Sequence, residues 1–131
     1  MNSGKSILTK LTRDQTLAQR LLEPGRPAPT ELAARDLRHI LTDAIGGLAG
    51  EAHIQVDNFK LLDNDVVMLC TNGLTDLVSD DEIAAVLAAA RPPGDLCQAL
   101  VDLALQRGGT DNVTVLLGRY RIPRPPGPGR P

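Results

Sequence analysis

Five consecutive apolar residues, Val66-Val-Met-Leu-Cys70, stop abruptly at Thr71-Asn72-Gly73. The run has the length of a strand and is too short for an ordinary helix. It is apolar at every position, not at alternate ones, which predicts a central strand buried on both faces. Asn72-Gly73 is a strong short turn signal. Ser79-Asp-Asp-Glu82 then has capping-box spacing: the serine hydroxyl can accept from the Glu82 amide while the Glu82 carboxylate reaches back. Asp80 and Asp81 complement the positive end of that helix. It is expected to run to about Ala90 and to stop at Pro92-Pro93-Gly94. A buried strand, a turn and a capped helix in this order predict a mixed α and β fold.

The rest of the chain fits that class. Asp95-Leu-Cys-Gln98 repeats the capping pattern, and Leu96, Leu100, Leu103 and Ala104 form one apolar helix face, with Gly108 as its C-cap. Val113 to Ile122 reads as a second buried strand containing Gly118. Asp63-Asn64-Asp65 has turn composition. Upstream, Ile54, Val56 and Phe59 to Leu61 read as a strand with an irregularity near Asn58. Ser6 to Thr12 reads as extended. A helix is expected after Arg13, capped by Asp14 or Thr16, and another from Glu31. Leu37, Ile40, Leu41, Ala44 and Ile45 also have helical spacing. Residues 1–122 are expected to form one domain. Residues 123–131, Pro-Arg-Pro-Pro-Gly-Pro-Gly-Arg-Pro, are expected to be a flexible tail.

Composition excludes several function classes. With 131 residues and a net charge of −2, the chain has no basic face suited to nucleic acid. No apolar run approaches the ~20 residues of a membrane-spanning helix, and Met1 to Leu17 lacks the apolar core of a signal peptide. Cys70 and Cys97 sit in apolar runs, outside any Cys-x-x-Cys pair, as expected for buried thiols in a reducing compartment. A cytoplasmic location is expected. Phe59 and Tyr120 are the aromatic residues, so the core must be aliphatic.

Two blocks concentrate the candidate chemistry. In Gly108-Gly-Thr-Asp-Asn-Val-Thr-Val115, the two glycines permit a sharp passage from helix to strand. Asp111 would be held rigidly in that turn with one side open to solvent, which suits a hard divalent cation. Asn112 can orient the turn. An ordinary Asx turn explains the same residues. In Leu69-Cys-Thr-Asn-Gly-Leu-Thr-Asp-Leu-Val-Ser79, Asn72 is either a turn residue or a neutral oxygen ligand at a strand end. Gly73 permits the turn, and Asp76 suits local hydrogen bonding to turn amides. Thr71 and Thr75 read as turn formers without a base to activate them. His39 and His53 lack partners at ligand spacing.

Together these blocks resemble the last two signature motifs of the metal-dependent protein serine/threonine phosphatases of the type 2C or PPM family. Leu11 to Gly25, Leu41 to Gly46, Leu62 to Asp65 and Val101 to Gly109 also follow that family's order. The resemblance covers about Ile7 to Ile122 and implies the C-terminal half of the family fold, a partial antiparallel β-sandwich with flanking helices. It implies extended chain past about His39, where the spacing alone suggests helix. It implies a site for Mn or Mg in which Asp111 is a ligand and Asn72 stands where the family carries an aspartate. Substrates would be phosphoserine or phosphothreonine proteins. The family's earlier motifs are not found in the chain: it contains no Asp-Gly and no His-Gly pair. Weak or absent metal binding and inactivity of the isolated chain are therefore expected. So is pairing with a complementary N-terminal half or self-association. A non-catalytic pseudophosphatase module is the alternative.

Overall fold

The structure, a computed structural model, describes residues 7–16, 41, 45 and 54–129. The chain divides into two compact units, one of Met1–Leu8 with Phe59–Pro131 and one of Thr9–Asn58.

In the first unit, strand β1 (Val66–Cys70) pairs antiparallel with β2 (Val115–Arg119). Three helices lie between them in sequence: α1 (Asn72–Thr75), α2 (Asp80–Leu87) and α3 (Pro93–Gln106). This is the expected α+β class. The register sets Met68 opposite Leu117 and Cys70 opposite Val115, and sets Leu69 opposite Leu116. Met68, Cys70 and Val115 face a core of Leu74, Val78, Ile83, Leu100 and Ala104, all fully buried. Burying a Leu or Ile side chain there contributes roughly 2 kcal/mol. Because successive side chains alternate across a sheet, Leu69 and Leu116 point the other way and are 63% and 61% exposed.

β1 is therefore half-buried, not buried on both faces, and β2 alternates between half-buried and exposed positions. β2 is also shorter than expected, starting at Val115 and ending at Arg119. The ladder's far end is closed by backbone bonds instead: Tyr120 N–H donates to the Asp65 carbonyl at 2.8 Å, and Asn64 N–H donates to the Tyr120 carbonyl at 2.8 Å. The 62–65 turn forms as expected. Asn64 adopts a positive φ of 71°, and the Asp65 carboxylate accepts from Leu62 N–H at 2.7 Å.

The α2 capping box forms as read from sequence, with Ser79 N–H donating to Glu82 Oε2 at 2.9 Å. The helix stops at Leu87, short of Ala90. α3 starts earlier than its Asp95 signal. Pro93 occupies the first turn, where its missing N–H costs nothing, and Pro92 is the N-cap without a side-chain bond. Asp95 sits inside that first turn, and Gln98 donates to Asp102 at 2.8 Å instead of capping. Leu96, Leu100 and Ala104 are the buried face. At its end, Gly108 N–H donates to the Leu105 carbonyl and Gly109 N–H to the Ala104 carbonyl, both at 3.1 Å. That pair of bonds is a Schellman closure, and Gly108 supplies the positive φ of 115°. Cys70 and Cys97 form no disulfide with each other and are half-buried, not fully enclosed. Residues 123–129 are exposed and lie outside helix and strand.

In the second unit, Thr16 and Leu41 form an antiparallel bridge. Leu41 is thus extended, as the family resemblance implies, against the helical spacing around it. Arg13 to Thr16 are not helical; the helices expected beyond Thr16 and from Glu31, with His39 and His53, fall outside the described residues. The strand expected from Ile54 does not form a ladder, and Ile54 and Val56 are 83% and 80% exposed. The Gln55 side chain takes over the pairing role: its amide accepts from Arg13 N–H and donates to the Leu11 carbonyl, each at 2.9 Å. Among the described residues no helix is long and apolar enough to cross a membrane.

Candidate metal centre

Thr71 follows β1 directly and is the N-cap of α1, and this double duty builds the site. Its N–H continues the ladder to the Thr114 carbonyl at 3.1 Å. Its own carbonyl turns away to accept Leu74 N–H at 3.2 Å, the first bond of α1. The hydroxyl replaces the diverted carbonyl: Oγ1 accepts Thr114 N–H at 3.0 Å and donates to the Asn112 carbonyl at 3.2 Å. A residue read from sequence as a turn former thus ties the two motif blocks together. The available signal was a hydroxyl residue at the junction of strand and turn.

Gly73 makes the second tie. It is buried, and a β-carbon on it would lie 2.1 Å from the Asn112 carbonyl oxygen. A contact that short is impossible for any side chain, so only glycine lets the two backbones approach this closely. The expected Asn-Gly turn is in fact one turn of helix, closed by Asp76 N–H donating to the Asn72 carbonyl at 2.9 Å. Asp76 is the C-cap of that turn and is exposed.

Asn72 and Asp111 are both exposed, on loops held together by Thr71 and Gly73. Asp111 Oδ1 accepts the Asn112 N–H at 2.7 Å, so one carboxylate oxygen orients the turn. Among the described residues Oδ2 makes no hydrogen bond. A carboxylate and a carboxamide are oxygen donors of the kind Mg²⁺ or Mn²⁺ prefers. Their number is the obstacle: among the described residues no three His, Cys, Asp or Glu side chains come together to hold an ion. Asp111 and Asn72 are donors of the right kind, and among the described residues no cluster of such groups completes a centre.

Arg107 was not singled out by sequence. It closes α3 immediately before Gly108-Gly109 and reaches back across the structure. Its guanidinium donates to the Leu77 carbonyl at 3.1 Å and to Glu82 Oε2 at 3.0 Å, and pairs with Glu82 Oε1 through its other nitrogen. The Arg107 bond, then the Ser79 N–H and hydroxyl, hold the Glu82 carboxyl down to about 2. Glu82 in turn raises the Arg107 guanidinium. The fork anchors the helix end that leads into Asp111 to the segment that follows Asn72. A capping-box glutamate with a spare carboxylate edge was visible in the sequence; its distant partner was not.

Residues 16–121 match the family model described as Stage II sporulation protein E (SpoIIE). The serine/threonine phosphatase stp of Listeria monocytogenes is 31% identical over 113 residues, which is 85% of this chain and 44% of that protein. The structure of the S. agalactiae serine/threonine phosphatase superposes with a TM-score of 0.74 at 32% identity, over 86% of this chain and 46% of that one. The Mycobacterium tuberculosis serine/threonine phosphatase PstP/Ppp gives a TM-score of 0.74 at 32% identity, over 89% of this chain and 48% of that one. The chain thus spans less than half the length of these relatives. The family model and these relatives agree, and the chain belongs to the SpoIIE and type 2C family of serine/threonine protein phosphatases, in which it corresponds to the C-terminal half of the fold.

Proposed function

We propose that this chain contributes the C-terminal half of a metal-dependent phosphoserine and phosphothreonine phosphatase, and that alone it does not turn over. The observation that carries this reading is the lock between the two motif loops: the Thr71 hydroxyl and the Gly73 backbone both meet the Asn112 carbonyl, so the segments bearing Asn72 and Asp111 are joined. Divalent cations, when bound, acidify water and neutralise the phosphate. Asp111 would hold such an ion through its carboxylate, with Asn72 adding a neutral oxygen. Further carboxylates and a cationic group for the phosphate would have to come from the other half of the fold. The exposed apolar pair Leu69 and Leu116 gives that half, or a second copy, a surface to cover.

The neutral Asn72 favours a second reading, a cytoplasmic binding or regulatory module that keeps the scaffold without the chemistry. A Mn²⁺-dependent phosphatase assay separates the two. Activity should be absent from the chain alone and should arise on mixing with the N-terminal half of a type 2C phosphatase. No activity in the mixture, despite a formed complex, would support the non-catalytic module. Turnover by the chain alone that is lost in Asp111→Ala would overturn both.

A further inference from the structure

We infer that Asn72 is a deamidation site, and that its aspartyl product adds a second carboxylate to the joined segments that carry Asp111. The chain has five asparagines, Asn2, Asn58, Asn64, Asn72 and Asn112, and only Asn72 precedes a glycine. Without a β-carbon on the following residue, nothing shields the backbone nitrogen from the asparagine side chain. The Gly73 nitrogen attacks Cγ of Asn72 and a new N–C bond closes a five-membered imide. The Cγ–NH2 bond breaks, and ammonia leaves carrying the proton lost by the Gly73 amide. Water then opens the ring at either carbonyl, leaving an aspartyl or an isoaspartyl linkage. No oxidant, reductant or co-reactant other than water is consumed.

The structure leaves the Asn72 side chain in solvent and the Gly73 N–H unbonded, and it also sets a gate on the reaction. Asn72 is exposed. Gly73 lies in the first turn of α1, where N–H groups have no partner within the helix, and among the described residues its N–H makes no hydrogen bond. Against this, ring closure needs the Asn72 backbone to leave its helical conformation, and Gly73 is clamped against Asn112. The reaction therefore runs from molecules in which α1 has opened. α1 is a single turn of four residues closed by the Asp76 to Asn72 bond, and such a turn opens far more readily than the whole fold. The Thr71 hydroxyl, by holding the loop to Asn112, slows the conversion. Asn112 is an internal control, since it lies in the same site but is followed by the β-branched Val113.

The consequence rests on the cation-corner reading above. The aspartyl product turns a neutral oxygen donor into a charged one on the segment tied to that of Asp111, without altering the backbone. The isoaspartyl product lengthens the main chain by one carbon and disturbs the clamp.

The experiment holds the purified chain at neutral pH and physiological temperature and maps the peptide spanning Leu69 to Ser79 by mass spectrometry, with isoaspartate quantified. In parallel, Mn²⁺ is titrated against fresh chain, aged chain and Asn72→Asp, reading paramagnetic broadening of amide signals around Asp111. The mass change of replacing NH by O should accumulate at Asn72 and not at Asn112. It should run about fivefold faster in Thr71→Val, which loses roughly one hydrogen bond's worth of closure, and should be absent in Asn72→Gln. Asn72→Asp, and the aspartyl fraction of aged chain, should each bind Mn²⁺ about tenfold more tightly than fresh chain. No mass change at Asn72, or an equal one at Asn112, overturns the inference. A purely isoaspartyl product with no gain in Mn²⁺ binding overturns its functional half. Absence of broadening even in Asn72→Asp sinks the cation-corner reading and leaves the modification standing.

Discussion

The carbonyl oxygen of Asn112 occupies the space that a β-carbon on Gly73 would need, 2.1 Å from its position. Two segments far apart in sequence, those carrying Asn72 and Asp111, therefore touch backbone to backbone. This contact decides more about the site than either loop does alone.

Gly73→Ala should push the two loops apart. The clash is with backbone, which cannot rotate away, so overpacking should cost about 1–3 kcal/mol. Urea unfolding measures it. Amide chemical shifts should change most at Asp111 and Asn112. An unchanged midpoint and an unchanged spectrum would show that the loops are not in contact in solution.

Thr71→Val should leave Thr114 N–H and the Asn112 carbonyl without their side-chain partner, at about 1 kcal/mol. Thr71→Ser keeps the hydroxyl and should restore most of the loss. Hydrogen exchange at the Thr114 amide reads the bond directly. Slow exchange at Thr114 in the valine variant would refute the assignment.

The Glu82 and Arg107 pair makes a pH prediction. Glu82 titrates at about 2 in the folded chain against a usual 4.5, so the unfolded chain binds the proton more tightly. Its contribution to stability is fully present above 4.5 and is lost as pH falls from there through about 2. Both side chains are solvent-exposed in part, so the effect is modest and weakens with salt. Unfolding midpoints across that range, compared with Glu82→Gln, test it. A variant with the same acid limb as the parent would contradict the pairing.

Leu69 and Leu116 sit opposite each other on the outer face of the sheet. The proposal that this face is covered in the working molecule predicts association of the isolated chain. Leu69→Glu with Leu116→Lys should shift it toward monomer, because a charged cross-strand pair tolerates water and resists apolar stacking. Analytical ultracentrifugation of both forms gives the answer. A parent that is monomeric at high concentration would remove the basis for this surface.

Asn72→Asp should raise Mn²⁺ affinity about tenfold, since it adds one negative charge to the segment tied to that of Asp111. It should not produce hydrolysis of an aryl phosphate, because the donors among the described residues do not complete a metal centre. Calorimetric titration and a turnover assay on the same preparation separate binding from chemistry.

Much of the fold was legible along the chain because its signals are local. The Ser79 to Glu82 box, the Asp63 to Asp65 turn, the α3 apolar face and the glycine closure after Arg107 each depend on residues within a turn of one another. The ordered blocks from Leu11 to Val115 were enough to point to the phosphatase family, and Asp111 and Asn72 stood out as candidate ligands on that basis. Burial was misread where it depends on a second layer. Val66 to Cys70 is apolar throughout, yet Leu69 is mostly exposed, because hydrophobicity states what a residue prefers and not what lies against it. Ile54 to Leu61 has strand composition, but a strand also requires a partner backbone, and the Gln55 side chain bonds to Leu11 and Arg13 instead. What only the tertiary structure decided is the pairing across distance. Thr71 holds Asn112 and Thr114, Gly73 admits the Asn112 carbonyl, and Arg107 grips Glu82. Such contacts leave no periodicity in the sequence, since they depend on two loops arriving at the same point in space, and that is settled by the sheet register and the packing of α3.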